Sequence, residues 1–425
     1  MVEFYRETEF KETPVGNIPK EWRIARLKDI LKEVDLRGKN IRDAEKLPIL
    51  SLTKDFGLIP QEQRFHKRVA ADDTSNYKVV KRGWLVYNPY VIWEGAICVL
   101  RDIEMGLVSP VYPVWEPTAD VDYRFLYYLI RTKRMLSTFF RLASGVVQRR
   151  RSLKKKDFLE ILIPLPPLEE QKLIARVLYS MDEAIQAVDA SIAKWERLKR
   201  GLMQELLTKG IGHKEFKEET EIGKIPKDWE IVELKDKAHV KEGIYGKRSS
   251  SGDIIQLKAD SIEDDGRINP NAYALISVDR DISKYLLKPG DILLSNRNSK
   301  DLVGKVAIYR GEFDRCVFSN LLTRIRVYSA DLLPDWLLYV LMKMRQDGIL
   351  RALGTRAVNQ VLLRKGVVEK LKIPLPPLKE QKRIVKILSS VDAVLEEKRR
   401  KKAKLERMKK AVMDLLLTGK VRVRA

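Results

Sequence analysis

The sequence contains itself twice, and a repeat on this scale constrains the architecture more than any local motif, because each copy must be a unit the chain can build again. Gly16, Ile18, Pro19, Trp22 and Leu27 return 207 positions later as Gly223, Ile225, Pro226, Trp229 and Leu234. A second block, IPLPPLEEQKLIARVL from Ile163, returns 210 positions later from Ile373 as IPLPPLKEQKRIVKIL. The match runs on to ERLKRGLMQELLTKG, Glu196 to Gly210, against ERMKKAVMDLLLTGK, Glu406 to Lys420. Each half is therefore a head closed by a tail. Between the anchors the similarity fades to traces such as Gly83 facing Gly290, so the heads share a plan and differ in detail.

The heads read as mixed α/β structure. Leu36 to Tyr112 and Glu242 to Tyr328 are short β-branched and aromatic runs cut by Gly, Asn, Asp and Pro, which is a sheet-rich pattern. Asp122 to Leu142 and Pro334 to Leu350 carry apolar residues at helical spacing, predicting at least one helix per head. The tails differ in kind. Pro166-Pro167 and Pro376-Pro377 stop whatever precedes them, and no proline interrupts either tail. In the first, Ile174, Leu178, Met181, Ile185, Val188, Ile192, Trp195, Lys199, Leu202 and Leu206 keep the alternation of a heptad seam. The second repeats it from Ile384 to Leu416, with Lys398 and Lys402 in mid-seam as orienting or snorkelling cations.

A helix from Glu169 to Leu207 would extend ~58 Å. Two such tails pairing antiparallel within one chain would relate the heads by a pseudo-twofold axis. The chain would then imitate a dimer of the kind that places DNA half-sites ~34–36 Å apart. The expected organisation is α+β, with a first head over residues 1–160, a helical region over 161–210, a second head over 211–370 and a second helical region over 371–425.

Charge narrows the partner. With 82 Lys and Arg against 59 Asp and Glu the net charge is +23, which suits DNA, RNA or an anionic membrane surface. At 44% hydrophobic and 33% charged residues the chain is not compositionally disordered. Cys98 and Cys316 lack any C-x-x-C spacing, which excludes a disulfide framework and a zinc site and favours a reducing, cytoplasmic setting. No apolar run approaches the ~18–20 residues that span a bilayer, so no membrane partner is expected. His66, His213 and His239 are scattered and have no spacing suited to a metal or a general base, so neither a catalytic nor a metal-binding role is assigned. Asn88-Pro89-Tyr90 lacks the second proline of an amino-methyltransferase motif, lies opposite Leu294 to Asn296 in the repeat, and reads as a strand end. Thr418-Gly419-Lys420 lacks the upstream glycine of a P-loop.

Candidate DNA contacts follow from residue type. Arg149, Arg150, Arg151 and Lys154 begin a dense basic run suited to phosphates. Its counterpart in the second head keeps Arg356, Asn359 and Gln360, and Arg with Asn or Gln are the types that read guanine and adenine in the major groove. Expected loops add Lys54, Arg64, His66, Lys67 and Arg68 in the first head and Lys247, Arg248, Arg297, Asn298 and Lys300 in the second.

With these residues in place, the chain resembles the specificity subunit of type I restriction-modification enzymes over about residues 10 to 420. G-x-I-P-x-x-W opens each head, I-P-L-P-P-L-x-E-Q-K closes it, and a duplicated long helix follows. The resemblance implies two target-recognition domains joined by an antiparallel coiled coil, each reading half of an asymmetric double-stranded DNA target. It implies a chain that does no chemistry itself. S-adenosylmethionine, ATP and Mg are expected on partner subunits, two methyltransferase subunits and a restriction/translocase subunit. The matched helix starts, Glu169, Glu170, Gln171 and Lys172 with Lys379, Glu380, Gln381 and Lys382, are the implied docking contacts; favourable acidic placement in a helix's first turn explains the same residues without a partner. A stand-alone bipartite DNA-binding regulator and an RNA-binding scaffold also fit the bare residues.

Overall fold

The computed structural model describes residues 2–54, 56–65, 73–145, 151–218, 220–249, 252–279, 281–357 and 360–424. The chain forms two compact units, residues 1–188 with 401–425 and residues 189–400. Two helices of 39 and 40 residues, Leu168–Leu206 and Leu378–Leu417, contribute a segment to each unit. Every named residue of the first tail's seam is buried or half-buried, as the heptad pattern predicts.

In the first unit a four-stranded antiparallel sheet runs in the order Ile97–Val99, Leu85–Tyr87, Val114–Pro117, Leu31–Val34, with Ile97 opposite Tyr87 and Val114 opposite both Val86 and Val34. The second unit repeats that order with Val306–Ile308, Ile292–Ser295, Leu322–Val327 and Ala238–Glu242, Ile292 facing Ile308 and Ile325. The expected sheet-rich stretches contain Leu85–Tyr87, Ile97–Val99, Ile292–Ser295, Val306–Ile308 and Leu322–Val327; Leu31–Val34, Val114–Pro117 and most of Ala238–Glu242 lie outside them, and the strand order was not legible.

Helices cover each sheet. Asp122 caps Tyr123–Leu129 by accepting from the Arg124 and Phe125 amides. The apolar run then divides in two, because Thr132 accepts from the Met135 amide and starts a new helix, Lys133–Leu142. The second unit instead has Pro334–Gln346, opened by proline in the first turn, then Ile349–Leu353 after Gly348, whose φ of 77° ends the first helix.

The first unit's core gathers Trp22, Trp115, Phe125 and Phe158 with Ile174 and Leu178 of the first long helix and Leu416 and Leu417 of the second. Asp182 meets Lys409 in the same unit, so the two helical segments run antiparallel there. The second unit packs Trp229 and Trp336 with Met203, Leu207, Ile384 and Leu388, while Glu196 pairs with Arg399 and Lys199 with Asp392, again antiparallel. Among the described residues no helix is long and apolar enough to cross a membrane.

Candidate nucleic-acid interface

The two repeated motifs are halves of one joint. Strand Leu162–Leu165 of the closing motif pairs with Arg23–Arg26 of the opening motif, Ile163 opposite Ala25. Lys372–Leu375 pairs likewise with Glu230–Glu233, Ile373 opposite Val232. Trp22 and Trp229 are fully buried beside these strands, each burial worth on the order of 4 kcal/mol. Their indole N–H groups donate to Glu170 and Glu380, both at 3.0 Å.

The adjacent glutamines do a second job. Gln171 accepts from the Asp122 amide at 2.9 Å and donates to the carbonyls of Pro166 and Asp120. Gln381 accepts from the Leu333 amide at 2.9 Å and donates to Pro376 and Asp331. Each glutamine thus ties the start of a long helix to the loop that begins a head helix. Glu170, Gln171, Glu380 and Gln381, expected as docking contacts, have polar groups bonded inside their own units. Glu169, Lys379 and Lys382 are exposed and Lys172 is half-buried.

Heads and helices are also joined by a matched trio that the sequence reading missed. The Tyr128 hydroxyl donates to Asp182 at 2.7 Å, and Lys409 pairs with the same carboxylate at 2.5 Å. In the other unit Tyr339 donates to Asp392 at 2.7 Å and Lys199 pairs with it at 2.6 Å. The helices exchange roles, the first supplying Asp182 and Lys199, the second Lys409 and Asp392. Burial first, then the neighbouring aspartate, pushes both tyrosine hydroxyls above their ordinary range, so they remain donors. The available signal was a lysine at a seam position in both tails with an aspartate repeated in the same register.

The basic candidates differ in their surroundings. Arg151, expected at a phosphate, is engaged within its own unit. Its guanidinium donates to the Phe140 and Ala143 carbonyls at 3.0 and 2.8 Å and lies 4.5 Å from the Phe140 ring centre, closing the end of helix Lys133–Leu142. Lys54 is ion-paired with Glu94. Arg64 is exposed on the short helix Gln61–Phe65, and Lys154 is exposed just before helix Lys155–Leu159. His66, Lys67, Arg68, Arg149, Arg150 and Asn359 lie outside the described residues.

In the second unit Lys247, Arg248, Arg297 and Lys300 are exposed, with no acidic partner among the described residues. Asn298 is a turn former, its side-chain oxygen accepting from the Ser299 amide at 2.9 Å. Strand Arg297–Asn298 joins Gln360–Leu362 and Thr355–Ala357 in one sheet, which brings the SNRNSK string beside the stretch containing Arg356 and Gln360.

His213, Asp228 and Glu380 have spacing that could hold a metal. Protein partners already use these atoms: the ring nitrogens lie 3.2 Å from Asp228 and 2.8 Å from Glu380, whose other oxygen takes the Trp229 indole. The cluster is a polar joint within the second unit. Cys98 and Cys316 are free and buried, and burial pushes the Cys316 thiol up to about 12 and the Cys98 thiol also upward.

Comparison with known proteins accounts for the doubled frame. The model of the type I restriction modification DNA specificity domain matches residues 19–194 and 226–407. The type I restriction enzyme MjaVIII specificity subunit of Methanocaldococcus jannaschii is 30% identical over all of this chain and 98% of its own length. A second protein of that organism, assigned as the MjaX specificity subunit, is 31% identical over all of this chain and 99% of its own. The solved type I restriction-modification S subunit from M. genitalium covers 96% of this chain and 99% of its own with a TM-score of 0.57 at 13% identity, which shows a shared fold. The chain belongs to the type I restriction-modification DNA specificity family and is a non-catalytic specificity subunit.

Proposed function

We propose that the chain reads a two-part, asymmetric double-stranded DNA target, one half-site per head, and docks methyltransferase subunits through its long helices. One observation carries this reading: the same joint and the same four-strand order are built twice, while the exposed residues on the two copies differ. A duplicated frame provides two placements of one kind of reader, and unlike surfaces make the two half-sites unlike.

Under this reading residues 1–160 and 211–370 are the readers, residues 161–210 and 371–425 hold the spacer, and the complex acts in the cytoplasm. Two methyltransferase subunits meet the accessible residues at the helix starts, exposed Glu169, Lys379 and Lys382 and half-buried Lys172, and a restriction/translocase subunit completes the complex. S-adenosylmethionine, ATP and Mg belong to those partners. Lys379 in place of Glu169 reverses the charge at one of the two docking positions. The test is selection of bound duplexes from a random pool by the full chain with its methyltransferase partner. A gapped, asymmetric motif is expected; a single contiguous motif would favour a stand-alone regulator and overturn split reading.

A further inference from the structure

One crossing of the chain is built alike in both units and carries different residues. In the second unit, strand Ile292–Ser295 leaves the four-stranded sheet, and the Leu363 amide returns to donate to the Asn296 carbonyl at 2.7 Å. In the first unit, strand Leu85–Tyr87 leaves the matching sheet, and the Leu153 amide donates to the Pro89 carbonyl at 3.0 Å. The preceding amides agree, Asn88 donating to the Ala96 carbonyl and Ser295 to that of Lys305. These bonds set Asn88 against Ser295, one residue on from the sequence expectation, and therefore Tyr90 against Arg297.

The surroundings of Arg297 are those of a reader. Directly paired residues of an antiparallel sheet point to the same face, and neighbours along a strand point to opposite faces. Arg297 and Thr355 pair with Leu362, whereas Asn298 pairs with Val361, which is 1% exposed and sunk in the unit's core. The other face therefore presents Arg297, Thr355 and Gln360, all exposed. Within this unit Arg267, Arg310, Arg315, Arg326, Arg345 and Arg399 each have an aspartate partner, whereas Arg297 has none among the described residues. Tyr90, at the matched place, is 51% exposed and offers a ring face and a hydroxyl in place of a guanidinium fork.

Building on the split reading proposed above, we infer that this crossing is the base-reading element of each head. Arg297, with Gln360 beside it, determines specificity in one half-site, and Tyr90 does so in the other. The guanidinium suits the O6 and N7 of guanine, and the glutamine amide suits adenine.

The test repeats duplex selection with the full chain and its methyltransferase partner, comparing wild type with Arg297→Ala, Arg297→Lys, Gln360→Ala, Tyr90→Ala and, as a cation control, Lys300→Ala. Arg297→Ala is expected to lose ~10-fold or more of its preference at one base pair of one half-site and to leave the other half-site unchanged. Arg297→Lys keeps the charge without the fork, folds as the parent does, and loses most of the same preference. Tyr90→Ala alters the opposite half-site, and Lys300→Ala, which removes a candidate phosphate contact, weakens binding to all sequences and leaves both base preferences unchanged. In the Arg297 and Tyr90 variants, uniform weakening at all sequences or unchanged motifs would overturn the inference while leaving split reading intact. A wild-type chain that selects no two-part motif would overturn both.

Discussion

Glu170 and Glu380 occupy the same place in the two units, yet different side chains hold them. In the first unit Arg422 forks onto Glu170 at 3.0 and 2.8 Å and reaches Glu7 and Glu21 as well. It arrives on strand Val421–Arg424, which pairs with Glu3–Arg6. In the second unit the cation's place is taken by His213, between Glu380 and Asp228, on the segment that follows the first long helix. Both groups come from the chain just beyond a long helix. What the joint requires is a buried carboxylate that takes an indole N–H and is balanced by a donor from that direction; the donor's chemistry can vary. A guanidinium supplies two parallel bonds and a permanent charge, whereas the imidazole sets one ring nitrogen against each of two carboxylates.

The largest effect expected from this comparison is that of Arg422→Ala. Both side chains of the Arg422–Glu170 pair are nearly inaccessible, at 7% and 6%, so removing one strands a buried charge at a cost of about 3–5 kcal/mol. The two cysteines report on it separately, since Cys98 lies in the first unit and Cys316 in the second. Burial keeps both thiols protonated and shielded, so labelling requires local opening. Arg422→Ala should accelerate labelling at Cys98 and leave Cys316 near its parental rate. Equal acceleration at both would show that the units open as one and would break the comparison.

A smaller difference is expected at the seam. The Lys199 side chain is 9% exposed against 26% for Lys409, so its pair with Asp392 is less screened by water. Lys199→Ala should cost about 2–3 kcal/mol and Lys409→Ala about 1–2 kcal/mol in denaturant unfolding, with the order reversed if packing rather than charge dominates. The smallest is His213→Ala, at about 1–2 kcal/mol, because the Trp229 indole and the Ile211 amide still satisfy Glu380. Its labelling signature should appear at Cys316. A loss as large as that of Arg422→Ala would mean that the two joints are energetically equivalent.

Legibility followed the range of the contact. The proline stop and heptad spacing identified the first long helix within a residue at each end, Glu169 to Leu207 against Leu168–Leu206, and G-x-I-P-x-x-W with I-P-L-P-P-L-x-E-Q-K identified the repeat and its family. The site was less legible. Arg151 belongs by composition to a phosphate-binding run, but the carbonyls and ring that hold it come from the preceding helix. Glu170 and Gln171 look like exposed first-turn residues, but their partners are Trp22 and the Asp122 backbone, far away along the chain. Arg297 and Gln360 belonged to separate candidate strings until strand pairing joined them.

The sequence by itself determined the duplication, the long helices, the positive charge and the absence of any local catalytic motif, because these are properties of composition and of spacing within a few turns of chain. Tertiary structure alone decided that the opening and closing motifs form one joint, which of the charged residues are spent on the frame, and that Tyr90 and Arg297 stand at the same crossing. Those outcomes depend on strand order and burial between distant segments. Local residue pattern does not encode that information in any readable form, even though the folded chain obeys it.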